Sequence, residues 1–307
     1  MNYKKVLVTG SSGFIGSHVA DVLENIGYEV ILFDAIPSIF KSESQYEIIG
    51  DILNQEDIEQ AIKGCDAVYH FAAQADIGAS NKFPMKTMQT NIVGTQNVLE
   101  AVRKHKVKRF MFASTIYVYS ELGSFYRVSK QACEKIIEEY HKEYNVEYTI
   151  LRFGSLYGPR ANEFNGIQSF LTQALTNKKI IRCGDGNEIR EYIHVKDAAR
   201  VSVDALNEQY KNEHLIITGS QQIKVKDLLF MIKEILSSDI KIEFGEGKIL
   251  DHYKITPYSY KPNIAMKITP KTYYDLGQGI LDQIYYLDNI LNKKNKINLV
   301  DLRKRSK

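Results

Sequence analysis

Tyr126 and Lys130 are the residues whose types and spacing most directly suggest chemistry. They stand four positions apart in the segment Tyr-Arg-Val-Ser-Lys, at the start of a predicted helix, so their side chains share one face, one turn apart. A free phenol titrates at about 10, and a neighbouring ammonium favours the phenolate and lowers that pKa toward use as a general base. The pair alone is equally typical of an amphipathic helix with a solvated lysine, because the chain holds 20 tyrosines.

Two hydroxyl side chains follow a predicted strand just before this helix. Ser114 and Thr115 come directly after the apolar segment 109–113. Ligands of open α/β sheets bind at the carboxyl ends of the strands, so these hydroxyls are placed to hold a substrate oxygen beside Tyr126.

A glycine turn near the start of the chain predicts a site for a dinucleotide. A strand over 5–8 runs into glycines at positions 10, 13 and 16, and a helical pattern follows that ends at Gly27. Such a turn presents backbone N–H groups and the positive end of a helix dipole to a pyrophosphate. A second strand ends in Asp34, 18 positions after Gly16, where a carboxylate hydrogen-bonds the ribose hydroxyls of an adenine dinucleotide. The alternative is a turn that merely packs a helix.

Strands and helices alternate through the first half of the chain without hairpin signals. This pattern predicts right-handed crossovers and a parallel sheet with helices on both faces. Further predicted strands lie at 29–33, 48–52, 67–71, 109–113 and 147–152, and predicted helices at 58–62, 85–105 and from 126 onward. The fold class is therefore α/β, a Rossmann-type doubly wound parallel sheet.

The pattern loosens beyond residue 155 into a smaller mixed lobe. Helices are predicted over 167–176, from 225 and over 280–291, with strands over 179–182 and 240–244 and a helix capped by Asp197. We predict a cofactor-binding domain over 1–155, joined by part of 185–215, and a substrate-binding lobe over 156–307 that closes over the carboxyl edge of the sheet.

Composition restricts the class of protein. The 307 residues are 44% hydrophobic and 25% charged, with a net charge of +3, which indicates an ordered globular chain and no nucleic-acid partner. No apolar run reaches the length of a membrane span, and the N-terminus enters a strand without a signal-peptide pattern. Cys65, Cys133 and Cys183 lack metal-ligand spacing, so we expect a cytoplasmic protein with no metal and no thiol chemistry.

Several segments together resemble the extended short-chain dehydrogenases/reductases of the NAD-dependent epimerase/dehydratase type, a group that modifies nucleotide sugars. The resemblance runs from residue 6 to about residue 276. The segments that carry it are Thr9 to His18, Gly50-Asp51-Ile52, Phe71-Ala72-Ala73-Gln74, Asn91 to Thr95, Thr115 with Tyr126 and Lys130, Leu151 to Arg160, and Gly184 to Asp197.

The resemblance implies NAD as cofactor and a nucleotide-diphosphate sugar as substrate. Its catalytic residues are Thr115, Tyr126 and Lys130: Tyr126 takes a proton from a sugar hydroxyl while the nicotinamide accepts the geminal hydride, which leaves a ketone. The implied cofactor-binding residues are Gly10, Gly13, Phe14, Ile15, Gly16, Asp34, Asp51, Ile52, Phe71, Ala72, Ala73, Gln74, Asn91, Ser114, Tyr126 and Lys130. The implied substrate-binding residues are Thr115, Tyr117, Ser155 and Arg190.

Arg190 would pair with the substrate diphosphate as a fixed fork; the alternative is an ordinary ion-pair arginine. The resemblance also suggests a homodimer in which the helices 85–105 and 126–142 pair across a two-fold axis. His70 and His194 lie where the family has no catalytic group, so we interpret both as structural.

Three departures from the family pattern bear on the reaction. Ser155 stands where many relatives have asparagine, and only six residues separate Tyr119 from Tyr126. Ile116 and Tyr117 follow Thr115, where dehydratases of this group carry Asp-Glu. The leading hypothesis is a sugar 4-epimerase that works through a transient 4-keto intermediate. The alternatives are a nucleotide-sugar 4-dehydrogenase/reductase, a 4,6-dehydratase, and, from another class, a non-catalytic scaffold that senses NAD.

Overall fold

Thirteen strands form three sheets in the computed structural model, which describes residues 3–237, 239–245, 252, 254–255, 257, 266–267, 270 and 272–304. In chain order the strands are β1 (Lys5–Thr9), β2 (Glu29–Asp34), β3 (Tyr46–Ile49), β4 (Ala67–His70), β5 (Arg109–Thr115), β6 (Tyr148–Phe153), β7 (Ser155–Tyr157), β8 (Lys179–Cys183), β9 (Ile189–His194), β10 (Glu213–Ile217), β11 (Gln222–Lys224), β12 (Lys241–Gly245) and β13 (Met266–Lys267).

The helices separate these strands. They are α1 (Phe14–Asn25), α2 (Gln55–Ile62), α3 (Ile77–Lys82), α4 (Pro84–Met88), α5 (Gly94–Lys104), α6 (Ser124–Tyr144), α7 (Gly166–Asn177), α8 (Val195–Asp204), α9 (Val225–Leu236) and α10 (Leu276–Lys304). A π-helical turn, Gln89–Val93, joins α4 to α5, and 3-10 turns lie at Ile116–Tyr119 and Glu208–Tyr210.

The main sheet has eight strands in the order β13–β10–β6–β5–β4–β1–β2–β3. Every neighbouring pair in it is parallel. The order reverses direction between β1 and β4, so α-helical crossovers cover both faces and leave a crevice at the carboxyl ends of these strands. This confirms the predicted doubly wound sheet.

Alternation along β1 shows how the sequence builds the two layers. Val6 and Val8 face a core made with α1 and α8, whereas Leu7 between them faces a core made with α2, α5 and α6. All three side chains are fully buried, and a strand with apolar residues on both faces is typical of a parallel sheet covered by helices.

The smaller lobe has its own core and two small sheets. Apolar residues of α7, α9 and α10 pack with Ile180 and Ile240. The small sheets are β11–β9–β7 and β12–β8. This confirms the predicted mixed C-terminal lobe.

Three sequence predictions differ from the structure, and the strand β10 was not among the predictions. The strand expected over 48–52 ends at Ile49. The helix expected over 85–105 contains the π-helical turn. The helix assigned to an Asp197 cap begins at Val195, with the His194 side chain as its cap; Asp197 lies in the first turn and pairs with Arg200. The strand β10, which no alternation predicted, joins the main sheet beside β6.

Candidate functional site

One cavity of about 1090 Å³ lies along the carboxyl ends of the main-sheet strands and continues into the smaller lobe. It is lined by every residue predicted to bind cofactor or substrate, with the single exception of Asn91. Its length and its position at the strand-order reversal suit an extended ligand.

The glycine turn at one end packs too closely for side chains. A Cβ on Gly10, whose φ is +70°, would lie 2.5 Å from the backbone nitrogen of Ala72, and a Cβ on Gly16 would lie 2.2 Å from the carbonyl oxygen of Gly10. Gly13 begins α1, and no side chain caps that helix. The turn therefore offers backbone N–H groups at a helix N-terminus to an anion.

Asp34 ends β2 beside this turn. Its Oδ2 accepts a hydrogen bond from the backbone N–H of Ser12 at 2.9 Å, which fixes the carboxylate against the glycine turn. Asp51 lies across the cavity and accepts the N–H of Leu53 at 2.9 Å. Together with Ile52, these groups form a wall that fits the adenosine half of NAD.

Asn91 acts behind the cavity wall. Its Nδ2 donates to the carbonyl of Gln74 at 3.1 Å and to Ser129 Oγ at 2.8 Å, and its Oδ1 accepts the N–H of Gln74 at 2.7 Å. The role of Asn91 in binding the cofactor stays a prediction: Asn91 does not line the cavity, and its amide contacts these three groups. Asn91 fixes the segment Phe71 to Gln74, which does line the cavity.

His70 is a buried structural residue at the end of β4. Its Nδ1 and Nε2 lie 2.7 Å from Thr9 Oγ1 and 3.0 Å from Thr95 Oγ1. Burial, aided by the charge of Lys130, lowers the pKa of His70 to about 3. The ring is therefore neutral at physiological pH and ties β1 and β4 to α5.

Tyr126 and Thr115 meet in the cavity, as the sequence predicts. Both side chains line the cavity, and Thr115 Oγ1 accepts the N–H of Tyr117 at 3.3 Å. Burial raises the pKa of Tyr126 to about 12, and the Thr115 hydroxyl only partly opposes this. The protein's own groups thus keep the phenol protonated, contrary to the expected lowering by Lys130.

Lys130 is almost fully buried and held in one direction. Its Nζ donates to the carbonyl of Ala113 at 2.7 Å and lies 4.7 Å above the ring of Phe112. Burial lowers the pKa of Lys130 to about 8. These contacts fix the ammonium beside β5, and Lys130 lines the cavity.

Arg190 and Tyr117 line the part of the cavity nearer the smaller lobe. Arg190 is 7% exposed, and one Nη donates to the carbonyl of Ile189 at 3.0 Å. Ser155, at the start of β7, lines the same region. Tyr117 Oη lies 2.6 Å from His252 Nδ1.

His252 and Arg182 are among the cavity residues that the sequence analysis did not assign to the site. His252 lies 135 positions from Tyr117, in a segment with no periodic pattern, so nothing local indicated their contact. Arg182 lines the cavity and pairs with Glu188 at 3.1 Å; its place on a predicted strand eight positions before Arg190 was an available signal.

The described residues lack two further features. They contain no group of three His, Cys, Asp or Glu side chains that could hold a metal ion. Within the same residues, no helix has the length and apolar character needed to span a membrane.

The fold and the site together define an extended short-chain dehydrogenase/reductase, in which a doubly wound sheet carries a glycine turn and a Tyr–Lys–Thr group in one cavity. Residues 6–218 match the model of the NAD-dependent epimerase/dehydratase family, and the chain belongs to that family. It is an enzyme, its cofactor is NAD, and the scaffold hypothesis is excluded.

Several 4-epimerases are similar to this chain over most of their length. A putative UDP-glucose 4-epimerase of Methanocaldococcus jannaschii is 32% identical over 290 residues, which is 85% of this chain and 94% of the relative. The UDP-glucose 4-epimerase of Thermotoga maritima, solved with UDP-glucose, is 28% identical, with a TM-score of 0.83 over 94% of this chain and 99% of its own.

The UDP-glucuronic acid 4-epimerase of Bacillus cereus, solved with UDP-glucuronic acid and NAD, is 27% identical. Its TM-score is 0.81, over 93% of this chain and 99% of that one. Both solved structures share the fold of this chain, and that of Bacillus cereus contains NAD.

Proposed function

We propose that this protein is an NAD-dependent nucleotide-sugar 4-epimerase. The observation that carries the proposal is the meeting of Tyr126, Thr115 and Lys130 in the cavity that also contains the glycine turn and Asp34. The 4-epimerase relatives, which match nearly the whole chain, support the same reaction.

The residues divide the work as follows. When bound, NAD supplies the acceptor, and later the donor, of the C4 hydride. Tyr126 takes the proton of the C4 hydroxyl and returns it, while Thr115 holds the same oxygen through a hydrogen bond. The pKa of Tyr126, about 12, must fall for this role. The positive nicotinamide ring favours the phenolate, and the Lys130 ammonium adds to this effect.

The substrate diphosphate would lie against Arg190. A nearly buried guanidinium presents fixed donors to phosphate oxygens, and Ser155 and Tyr117 line the same part of the cavity. This arrangement extends the ligand from the reacting carbon near Tyr126 toward the smaller lobe. We infer a nucleotide-diphosphate sugar because Arg190 offers a cation to a diphosphate in the cavity that Tyr126 also lines.

The residues after Thr115 disfavour dehydration. Loss of water across C5 and C6 needs one group to take the C5 proton and another to protonate the leaving hydroxyl. Ile116 is apolar and 1% exposed, and Tyr117 Oη is engaged with His252. A 4-epimerase needs no such pair, because only the C4 stereocentre changes.

Incubation with NAD and a panel of UDP-, GDP-, dTDP- and CDP-hexoses tests this proposal. The expected result is a product of unchanged mass that separates as the 4-epimer by chromatography. A product lighter by one water would indicate a dehydratase and make Tyr117 the first residue to mutate. A released keto sugar would indicate the dehydrogenase or reductase alternative.

The proposal includes a homodimer built on α4–α5 and α6. These helices leave apolar side chains exposed, namely Met85 at 71%, Val93 at 46%, Phe125 at 41% and Val128 at 41%. Pairing across a two-fold axis would bury them as one patch on both copies. Light scattering at micromolar concentration should give twice the chain mass, and Val128→Glu should give a monomer. A monomeric wild type would contradict this part.

We also propose that residues 1–155 with part of 185–215 hold the cofactor and that 156–307 mainly bind the substrate. The packing of α8 on α1 supports the return of the chain to the first domain. The free thiols of Cys65, Cys133 and Cys183 support a reducing, cytoplasmic location.

A further inference from the structure

Glu134 and Arg152 form a buried ion pair next to Lys130. This pair takes no part in the chemistry described above. Glu134 is on α6, one turn after Lys130, and Arg152 is on β6. Arg152 Nη2 lies 2.5 Å from Glu134 Oε2, and Nε lies 2.9 Å from Oε1. The two side chains are 5% and 3% exposed, so this is a bidentate pair removed from solvent.

The same carboxylate reaches the strand that carries Thr115. Ser114 Oγ donates to Glu134 Oε1 at 2.5 Å, and Ser114 is the residue before Thr115 on β5. One side chain therefore joins the helix of Tyr126 and Lys130 to the strand of Thr115.

Arg152 is itself held from two other sides. Its Nη1 donates to Tyr119 Oη at 2.5 Å, and its guanidinium lies 4.8 Å from the centre of the Tyr119 ring. Its Nη2 lies 2.7 Å from Nδ1 of His214 on β10. Burial lowers the pKa of His214 to about 4, so the ring is neutral and accepts from the guanidinium. Five elements thus meet at the Glu134–Arg152 pair, namely α6, β5, β6, β10 and the 3-10 turn Ile116–Tyr119.

We propose that Glu134, held by Arg152, is a positioning residue for catalysis: it sets the register of α6 against β5 so that Tyr126, Lys130 and Thr115 meet. This proposal rests on the proposed function. A buried ion pair adds little stability compared with an apolar pair of the same size, whereas misplacement of a catalytic group by about 1 Å can cost about 100-fold in rate. Register is therefore the larger contribution of the pair.

The charge of Glu134 also acts on Lys130. The carboxylate raises the pKa of Lys130 and opposes the lowering by burial, which helps to keep the ammonium charged. The other titratable groups that face Lys130 are His70 and Cys133, both neutral. The charge of Glu134 faces several polar and titratable groups: Ser114, Arg152, His214, Lys130, Tyr119, Cys133 and Tyr148.

Glu134→Gln tests the proposal because it keeps the shape and removes the charge. We expect kcat to fall by about 10- to 100-fold, with the KM for the sugar nucleotide and the Kd for NAD within about threefold of wild type. The alkaline limb of the kcat profile should move to lower pH, because Lys130 loses its proton more readily. A merely structural role would leave that limb in place.

Arg109→Met is the matched control. Arg109 is a fully buried arginine at the start of β5, the strand that ends in Thr115. Its guanidinium donates a hydrogen bond to Thr149 Oγ1 at 3.1 Å. The control variant should lower the melting temperature without moving kcat or the alkaline limb. If Glu134→Gln does not fold, Glu134→Met/Arg152→Met removes both charges without leaving one unpaired, and its kcat should be equally low.

Crystal structures of these variants separate this proposal from the proposed function. In Glu134→Gln the side chains of Tyr126 and Thr115, which line one cavity in the wild type, should move apart while the glycine turn stays in place. Unchanged positions of both side chains, or wild-type kcat in either Glu134 variant, would overturn the positioning role. If the wild type turns over no nucleotide sugar, the proposed function is overturned. The crystal structures would still show whether Glu134 sets the register of α6 against β5.

Discussion

Tyr126 is a protonated phenol on a half-buried residue, and its role depends on removing that proton. Tyr126→Phe deletes only the acceptor, so we expect turnover to fall by about 100- to 10,000-fold while calorimetric titration shows NAD bound within about threefold of wild type. Thr115→Ala, which keeps the phenol, is the companion variant, and its turnover should fall less than that of Tyr126→Phe. Normal turnover by Tyr126→Phe would contradict the assignment of the base.

Asp34 decides between the two nicotinamide cofactors. Its carboxylate accepts hydrogen bonds from a ribose and repels a 2′-phosphate, so titration should show NAD bound at least about tenfold tighter than NADP. Asp34→Asn keeps an acceptor for the Ser12 N–H and removes the charge. The difference between the affinities for NAD and NADP should therefore become smaller. Equal or tighter binding of NADP to the wild type would show that the assignment is wrong.

The π-helical turn is the element that holds one wall of the cofactor site. Asn91→Ala leaves the N–H and carbonyl of Gln74 without their side-chain partners, which costs about 1–3 kcal/mol for buried groups. We expect NAD to bind about tenfold more weakly by calorimetry. Gln96→Ala, an exposed position on the adjoining helix, is the control and should bind NAD as the wild type does.

Periodicity predicted the elements whose apolar pattern matches their burial. The strands β1, β2, β4, β5 and β6 are buried on both faces and read as short apolar runs, so their existence was predictable. The strand β10 has Glu213 and His214 before its three buried residues, and such a run is too short to distinguish from a loop. The π-helical turn was unpredictable because it keeps the helical pattern and changes only the hydrogen bonding.

The functional site also contains residues that the sequence predicts and contacts that it does not. Residues fixed by local spacing, such as Gly10, Asp34 and the Tyr126–Lys130 pair, all line the cavity as predicted. Contacts between distant segments have no local signal, which is why the Tyr117–His252 contact and the Glu134–Arg152 pair emerged only from the structure. The direction of the Tyr126 pKa was also beyond the sequence, because desolvation depends on tertiary burial.

At the scale of the whole molecule, several histidines are buried and neutral. Burial lowers the pKa of His70 to about 3 and those of His18, His194 and His214 to about 4, against about 6.5 in an unfolded chain. The unfolded chain therefore binds more protons below pH 6.5. The stabilisation is fully present above that pH and is lost as the pH falls toward 4, by about 1.4 kcal/mol per pH unit for each proton taken up.

Urea unfolding measured between pH 7.5 and pH 5 checks this expectation. The free energy of unfolding should fall steeply below pH 6.5, and the slope should correspond to the uptake of several protons. His214→Asn, which removes one of these groups, should make the slope shallower by about one proton. A free energy that is flat over this range would contradict the neutral state of the buried histidines.

The central claim is that this molecule inverts C4 of a nucleotide sugar and returns the same hydrogen to that carbon. The most direct test uses the hexose nucleotide turned over in the panel, labelled with deuterium at C4 and incubated with the enzyme and NAD. We predict that the 4-epimer forms with the deuterium retained at C4, with no change in mass and no loss of water. A 4-epimer that has lost its deuterium, or a product lighter by one water, would contradict the account.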